Sequence, residues 1–160
     1  MTSEEFSARI VGMMQTLYRV SYAQLSQSSD RDDAVQECLY KAWKKRRHLK
    51  DDSVMQTWVI RILINECRNI QKKRKRELPL DVLPERATPP NTEVDLHNAL
   101  FVLDETLLLP VLLHYVEGYS TKEVAQILRL PHGTVKSRMA RARRELQKLL
   151  SWEVKEPCEI

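Results

Sequence analysis

The stretch LRLPHGTVKSRMARARREL, from Leu128 to Leu146, combines many basic residues with apolar residues that recur at helical spacing. In the preceding stretch YSTKEVAQIL, Ser120 and Glu123 have the spacing of a capping box, which predicts a helix starting just after Gly118. That helix should end near Leu128, where RLPHG turns the chain into a longer basic helix. A short helix, a tight turn and a longer basic helix predict a helix-turn-helix.

The longer helix has two distinct faces. The face that would pack against the short helix holds Val135, Met139, Ala142, Leu146 and Leu149. The opposite face, called the recognition face below, holds Lys136, Ser137, Ala140, Arg141 and Arg144. Small and hydroxyl side chains among cationic groups let a helix approach base edges while its flanks hold phosphates. A basic amphipathic helix can also be only a solvated face, but the capping box, the turn and the preceding helix favour DNA binding.

The composition predicts a mostly helical protein with segregated charge. The 160 residues suffice for one domain or two small ones, and only three of them are glycine. The net charge of +4 averages basic stretches at 41–50, 61–76 and 129–148 with acidic stretches at 30–37 and 81–105. Such segregation indicates a polyanion on one surface and a protein partner on another.

The N-terminal half contains three amphipathic patterns. The first extends from Phe6 to Val20, and the second predicts a helix from about Asp32 to Arg47. The third opens at Ser53 and continues into QKKRKR, with an apolar side formed by Met55, Val59, Ile62, Leu63 and Ile70. Its other side carries polar residues spaced by four, three and four positions: Arg61, Asn65, Arg68 and Lys72.

The composition changes after these helices. Pro79, Pro84, Pro89 and Pro90 favour extended backbone and predict a flexible linker at 79–95 between domains at 1–78 and 96–152, with a tail at 153–160. Helices are expected from about Thr92 to Leu103 and through LLLPVLLHYVE, where Pro110 requires either a helix start close before it or a kink. The predicted fold class is therefore all-α, as two small helical domains joined by a linker.

Several function classes are not expected. The three cysteines are far apart and form no CxxC or Cys/His cluster, so no metal site is predicted. The four histidines are scattered, with no nucleophile, carboxylate pair or phosphate loop beside them, so neither an enzyme nor a cofactor is predicted. The N-terminus has no long apolar run, and we expect no signal peptide or membrane span and a reduced, cytoplasmic setting.

Three motifs carry a family resemblance. EVAQILRLPHGTVKSRMARARREL resembles the fourth conserved region of extracytoplasmic-function sigma factors of bacterial RNA polymerase. DDAVQECLYKAW resembles the D..QE stretch of their second region, which docks on the polymerase clamp. TWVIRILINECRN resembles the W..RI..N helix of the same region. Two regions in the family's order, joined by a short linker, are more specific than either alone.

The resemblance implies roles for individual residues. The contacts to the clamp region of the largest polymerase subunit would be Asp33, Gln36 and Glu37. The alternative interpretation is that these residues form only the exposed acidic start of a helix, which the helix dipole favours. The loop before the third helix would capture an unpaired base of the downstream (minus-10) promoter element with Lys50, Ser53 and Met55, although the family often has an aromatic residue near Met55. Asn65 would face the same DNA, and the adjoining phosphates would be held by Arg61, Arg68 and Lys72.

At the upstream (minus-35) element, the family's base-reading positions match Lys136, Ser137, Ala140 and Arg141. Thr134, Arg138 and Arg144 would hold phosphates. Many members have a larger side chain at the position of Ala140, so the upstream preference should depend more on Lys136 and Arg141.

The resemblance also implies partners and a regulator. The implied partners are core RNA polymerase, promoter DNA and an anti-sigma factor, and in many members this anti-sigma factor is anchored to the membrane. No small-molecule substrate is implied. Such a protein would direct transcription under extracytoplasmic stress from the cytoplasm, or be held at the inner face of the membrane by its inhibitor. Two alternatives are a stand-alone helix-turn-helix activator and a sigma-like decoy that binds polymerase without reading promoters. The Asn-bearing third helix and the D..QE stretch favour a sigma factor over the activator.

Overall fold

A computed structural model describes residues 1–77 and 100–154, with side chains described as far as residue 149. The chain divides into two compact units, Met1–Arg86 and Ala87–Ile160. Every regular element in the described ranges is helical, which confirms the predicted all-α fold in two small domains. The predicted linker at 79–95, the start of the helix predicted from Thr92, and residues 155–160 of the predicted tail lie outside the described residues.

Within residues 1–77, the first unit consists of three α-helices and two short 3-10 turns. They are α1 (Ser3–Tyr22), α2 (Ser28–Lys45), the turns Arg46–His48 and Asp52–Val54, and α3 (Met55–Glu77). Thr2 caps α1 through a capping box with Glu5. The predicted start of α2 near Asp32 is wrong by four residues, because Asp30 lies in the first turn and its carboxylate is held by Arg74 of α3 at 2.7 Å. Asp33 therefore lies within the helix and not at its acidic start.

Helices α1, α2 and α3 pack against one another around one core. The largest fully buried side chains in this unit are Leu17, Val20, Val35, Met55, Val59, Ile60, Leu63 and Ile64. The apolar side predicted for α3 was partly wrong, since Ile60 and Ile64 are buried whereas Ile62 and Ile70 are only half-buried. The reason is that α3 contacts both α1 and α2, which rotates and widens its buried stripe relative to a helix with one neighbour.

The second unit contains a helical turn at 100–102, α4 (Glu105–Val111), a π-helical turn (Leu112–Val116), α5 (Thr121–Leu128) and α6 (His132–Val154). Pro110 lies inside α4, whose N-cap is Asp104, and not in the first turn. It lacks the amide that would bond to the carbonyl of Thr106, and the regular α-helical ladder gives way to the π-turn two residues later. Pro110 therefore lies beyond the first turn of α4, and the hydrogen bonding changes from α to π soon after it.

The helix-turn-helix forms as predicted. Ser120 accepts from the Glu123 amide at 3.2 Å, and the Glu123 carboxylate accepts from the Ser120 amide at 2.8 Å, which completes the capping box. Gly118 provides the turn before α5 with a φ of 80°, and Arg129 ends α5 in the left-handed conformation with a φ of 53°. The Thr121 hydroxyl lies 2.8 Å from Nε2 of His132, a further contact between α5 and α6.

Candidate functional site

The recognition face of α6 lies at the surface of the second unit. Lys136, Ser137, Arg141 and Arg144 are exposed and Ala140 is half-exposed, while Val135, Met139 and Ala142 are buried on the other side. The structure thus brings the predicted base-reading residues together on one accessible face. Thr134 and Arg138, the predicted phosphate contacts at its flanks, are half-exposed.

The charge on α6 suits a polyanion. Between His132 and Leu149 its acidic residue is Glu145, and its basic residues are Lys136, Arg138, Arg141, Arg143, Arg144 and Lys148. Arg141 donates from Nε to Glu145 at 3.3 Å, but the Arg141 side chain is 70% exposed, so this pair is weak enough to exchange for a DNA contact. Arg143 instead donates to the Tyr115 hydroxyl at 3.2 Å, which ties it to the π-helical turn.

A second polar face lies along α3 in the first unit. Arg61, Asn65 and Arg68 are half-exposed and Lys72 is exposed, at the helical spacing predicted for one side. Arg74 has a different role, since it donates to Asp30 and, at 2.7 Å, to the Gln27 side chain, and so ties the end of α3 to the start of α2. The α3 face can therefore offer cations and an amide to a nucleic acid, whereas Arg74 stabilises the packing of α3 against α2.

The loop before α3 presents Lys50 and Ser53, which are both exposed. The structure contradicts the base contact predicted for Met55, because this side chain is fully buried in the core. Burial there follows from its position as the first residue of α3 on the side that faces the core. Lys50 and Ser53 remain as candidates for base capture.

Two residues that the sequence reasoning missed hold this loop in place. The Asp51 carboxylate accepts from the Ser53 amide at 2.9 Å, and this hydrogen bonding lowers the pKa of Asp51. Arg9 of α1 donates to the carbonyl of Asp52 at 2.9 Å. The Asp-x-Ser pattern is a detectable capping signal, whereas the sequence contains no signal for a contact 43 residues away.

A groove between α2 and α3 collects the predicted polymerase contacts. Its volume is about 510 Å³, and its lining includes Asp33, Gln36 and Glu37, all of them exposed. The rest of the lining is Ala34, Tyr40, Glu66 and Ile70. Lys41 lies beside it and donates to Glu66 at 2.6 Å, a bond that raises the pKa of Lys41. The groove therefore combines exposed carboxylates with an aromatic and an aliphatic surface, which suits a basic segment of another protein.

Residues 1–77 and 100–154 contain no group of three or more His, Cys, Asp or Glu side chains arranged to hold a metal ion. Within the same ranges, no helix is both long and apolar enough to cross a membrane.

Burial raises the pKa of the Cys38 thiol to about 12, which keeps it protonated and unreactive at neutral pH.

Comparisons with known proteins match both units. Residues 12–77 match the family described as Sigma-70 region 2, and residues 94–146 match Sigma-70, region 4. The chain is 32% identical over 141 residues to the ECF RNA polymerase sigma factor SigM of Mycobacterium tuberculosis, covering 85% of this chain and 72% of that protein. It is 31% identical over 136 residues to the ECF RNA polymerase sigma-E factor of Escherichia coli K12, covering 72% and 71%.

Solved structures give the same fold. The sigma factor RpoE of Bartonella quintana, crystallised with the anti-sigma factor NepR, aligns with a TM-score of 0.75 and 27% identity over 92% of this chain and 98% of that one. CnrH, solved with the cytosolic domain of CnrY, aligns with a TM-score of 0.68 over 94% and 90%. At 22% identity, CnrH supports the fold alone.

Proposed function

The chain belongs to the extracytoplasmic-function sigma factors of the sigma-70 family, which direct transcription initiation by RNA polymerase, and from this premise we propose a role for each of its surfaces. Residues 1–78 bind core polymerase and read the downstream promoter element. Residues 96–152 read the upstream element, and residues 79–95 link the two domains. The observation that carries this proposal is the recognition face of α6, exposed on a capped helix-turn-helix.

The two DNA-contacting surfaces bind different parts of the promoter. Lys136, Ser137, Ala140 and Arg141 read base edges of the duplex upstream element, and Thr134, Arg138 and Arg144 hold its phosphates. On the other domain, Lys50 and Ser53 capture an unpaired base, Asn65 faces the downstream element, and Arg61, Arg68 and Lys72 hold its backbone. Because both readers are tethered to one polymerase, each gains from a high effective concentration and neither needs a large interface.

The groove between α2 and α3 docks on the polymerase clamp through Asp33, Gln36 and Glu37. All three side chains lie past the first turn of α2 and are exposed, so they are accessible to a partner. A stand-alone activator would bind duplex DNA with the second domain and would have no use for this groove or for the α3 face. The match of residues 12–77 to region 2 therefore favours the sigma factor over the activator.

We also propose an anti-sigma factor as the inhibitor, by analogy with the Bartonella quintana sigma factor RpoE, which was crystallised with the anti-sigma factor NepR. The protein would then act in the cytoplasm, held off until an extracytoplasmic signal removes the inhibitor, and a membrane anchor would belong to that inhibitor. No catalytic chemistry is assigned to the chain, in keeping with a family whose members are not enzymes.

Replacing Arg141 with alanine should weaken holoenzyme binding at the preferred upstream sequence by about 1–3 kcal/mol, because a base-edge contact is lost. Binding to promoters with other upstream sequences should change little. The measurement is the equilibrium affinity of reconstituted holoenzyme for a series of promoters that differ at single upstream positions.

Arg143→Ala is the matched control, since it removes the same charge from the same helix but from a side chain that contacts Tyr115. It should weaken binding slightly and equally across the series. If Arg141→Ala also weakens all sequences equally, Arg141 holds a phosphate and does not read a base.

A further inference from the structure

Lys41 lies between two carboxylates beside the polymerase groove. Its ammonium nitrogen is 2.6 Å from Oε1 of Glu66 on α3 and 3.4 Å from Oε1 of Glu37, four residues earlier on α2. Only Glu37 is a proposed polymerase contact. The same cation therefore contacts one proposed polymerase contact and one residue of the groove lining that has no such role.

The two carboxylates differ in their exposure to water. The Glu66 side chain is 12% exposed, whereas that of Glu37 is 50% exposed. A buried charge requires a partner, and attraction to it is less screened than attraction to an exposed charge. Both effects favour Lys41 on Glu66, in agreement with the shorter of the two distances.

Without Glu66, the remaining partner for Lys41 would be Glu37. A glutamate four residues before a lysine on a helix is the favourable order for an ion pair. Lys41 would then pair more closely with Glu37 and neutralise more fully the carboxylate that the polymerase should meet. An incoming basic group would have to displace it.

We propose that Glu66 is a positioning residue that draws Lys41 toward itself and so weakens the pairing of Lys41 with Glu37, which leaves the Glu37 carboxylate more available to core polymerase. This inference rests on the proposed role of Glu37 as a polymerase contact. Glu66 need not touch the polymerase, because its effect passes through Lys41. It also gives a reason for placing a carboxylate in the nearly buried floor of the groove.

The test measures the affinity of the full-length protein for purified core polymerase. Glu66→Gln should weaken binding by about two- to tenfold, the lower part of the range for one pairwise coupling, because Lys41 then pairs more closely with Glu37. Lys41→Met combined with Glu66→Gln should restore binding, since no cation remains to mask Glu37 and no buried charge is left unpaired. Glu66→Asp keeps the net charge but draws the carboxylate back from Lys41, so it should weaken binding to a smaller degree.

A double-mutant cycle separates this mechanism from a general loss of negative charge. Glu37→Gln alone should weaken binding, and adding Glu66→Gln should then have no further effect, because there is no carboxylate left to mask. Additive losses, or a Lys41→Met, Glu66→Gln variant that stays weak, would overturn the inference. A Glu37→Gln variant that binds as well as the original protein would instead overturn the proposed polymerase contact. Thermal unfolding followed by circular dichroism confirms that each variant is folded.

Discussion

Replacing Ala140 with glutamate should reduce holoenzyme binding to the upstream promoter element by more than about a hundredfold, since placing like charges together at an interface costs several kcal/mol. Ala140 lies on the recognition face between Lys136 and Arg141 and is half-exposed. A longer side chain at this position would extend from the recognition face into the major groove of the bound DNA. A carboxylate at this point would meet the negative potential of the DNA and compete for the neighbouring cations. Binding is measured with reconstituted holoenzyme on promoters with intact and scrambled upstream elements.

The control for Ala140→Glu is Val102→Glu, which adds the same charge at an exposed position of the second unit outside α5 and α6. Val102→Glu should keep the preference for the intact upstream element, whereas Ala140→Glu should lose it. If Ala140→Glu retains the preference for the intact upstream element, then α6 does not form the upstream interface.

Replacing Leu63 with alanine should lower the free energy of unfolding of the first unit by about 2–5 kcal/mol. Leu63 is fully buried on α3, where that helix packs with α1 and α2, so truncation leaves a cavity at the centre of the core. Urea unfolding is followed by tryptophan fluorescence in a Trp152→Phe background, so that the signal comes from Trp43 and Trp58 of this unit.

Val11→Ala removes a comparable apolar group from α1 at a position that is 71% exposed. It should change the free energy of unfolding by less than about 0.5 kcal/mol, as surface substitutions do. An unchanged unfolding midpoint for Leu63→Ala would mean that α3 does not form the centre of this core.

The helix-turn-helix could be predicted because its determinants are local. The Ser120 and Glu123 capping box, the turn at Gly118 and the two faces of α6 each follow from residues within a few positions of one another. The extent of the recognition face followed from the same periodicity. The start of α2 was missed because its first turn is held by Arg74, which lies 44 residues away in the sequence.

Errors at the site have the same origin. Met55 was placed near DNA by its position in a loop motif, but the packing of α3 against two helices buries it. Glu66, next to the predicted Asn65, was overlooked because its partner Lys41 is 25 residues away on another helix. Arg9 and Asp52 form a third contact of this kind. Periodicity assigns a residue to a side of its helix, but only the assembled core determines which neighbour that side meets.

In vitro transcription with purified core polymerase and a library of promoter sequences tests the central claim most directly. Adding the protein should create new start sites on templates that share an upstream and a downstream element at a fixed spacing. Changing either element should abolish these starts. If the protein creates no new start sites yet binds duplex DNA tightly without polymerase, it does not act as a sigma factor and the account is contradicted.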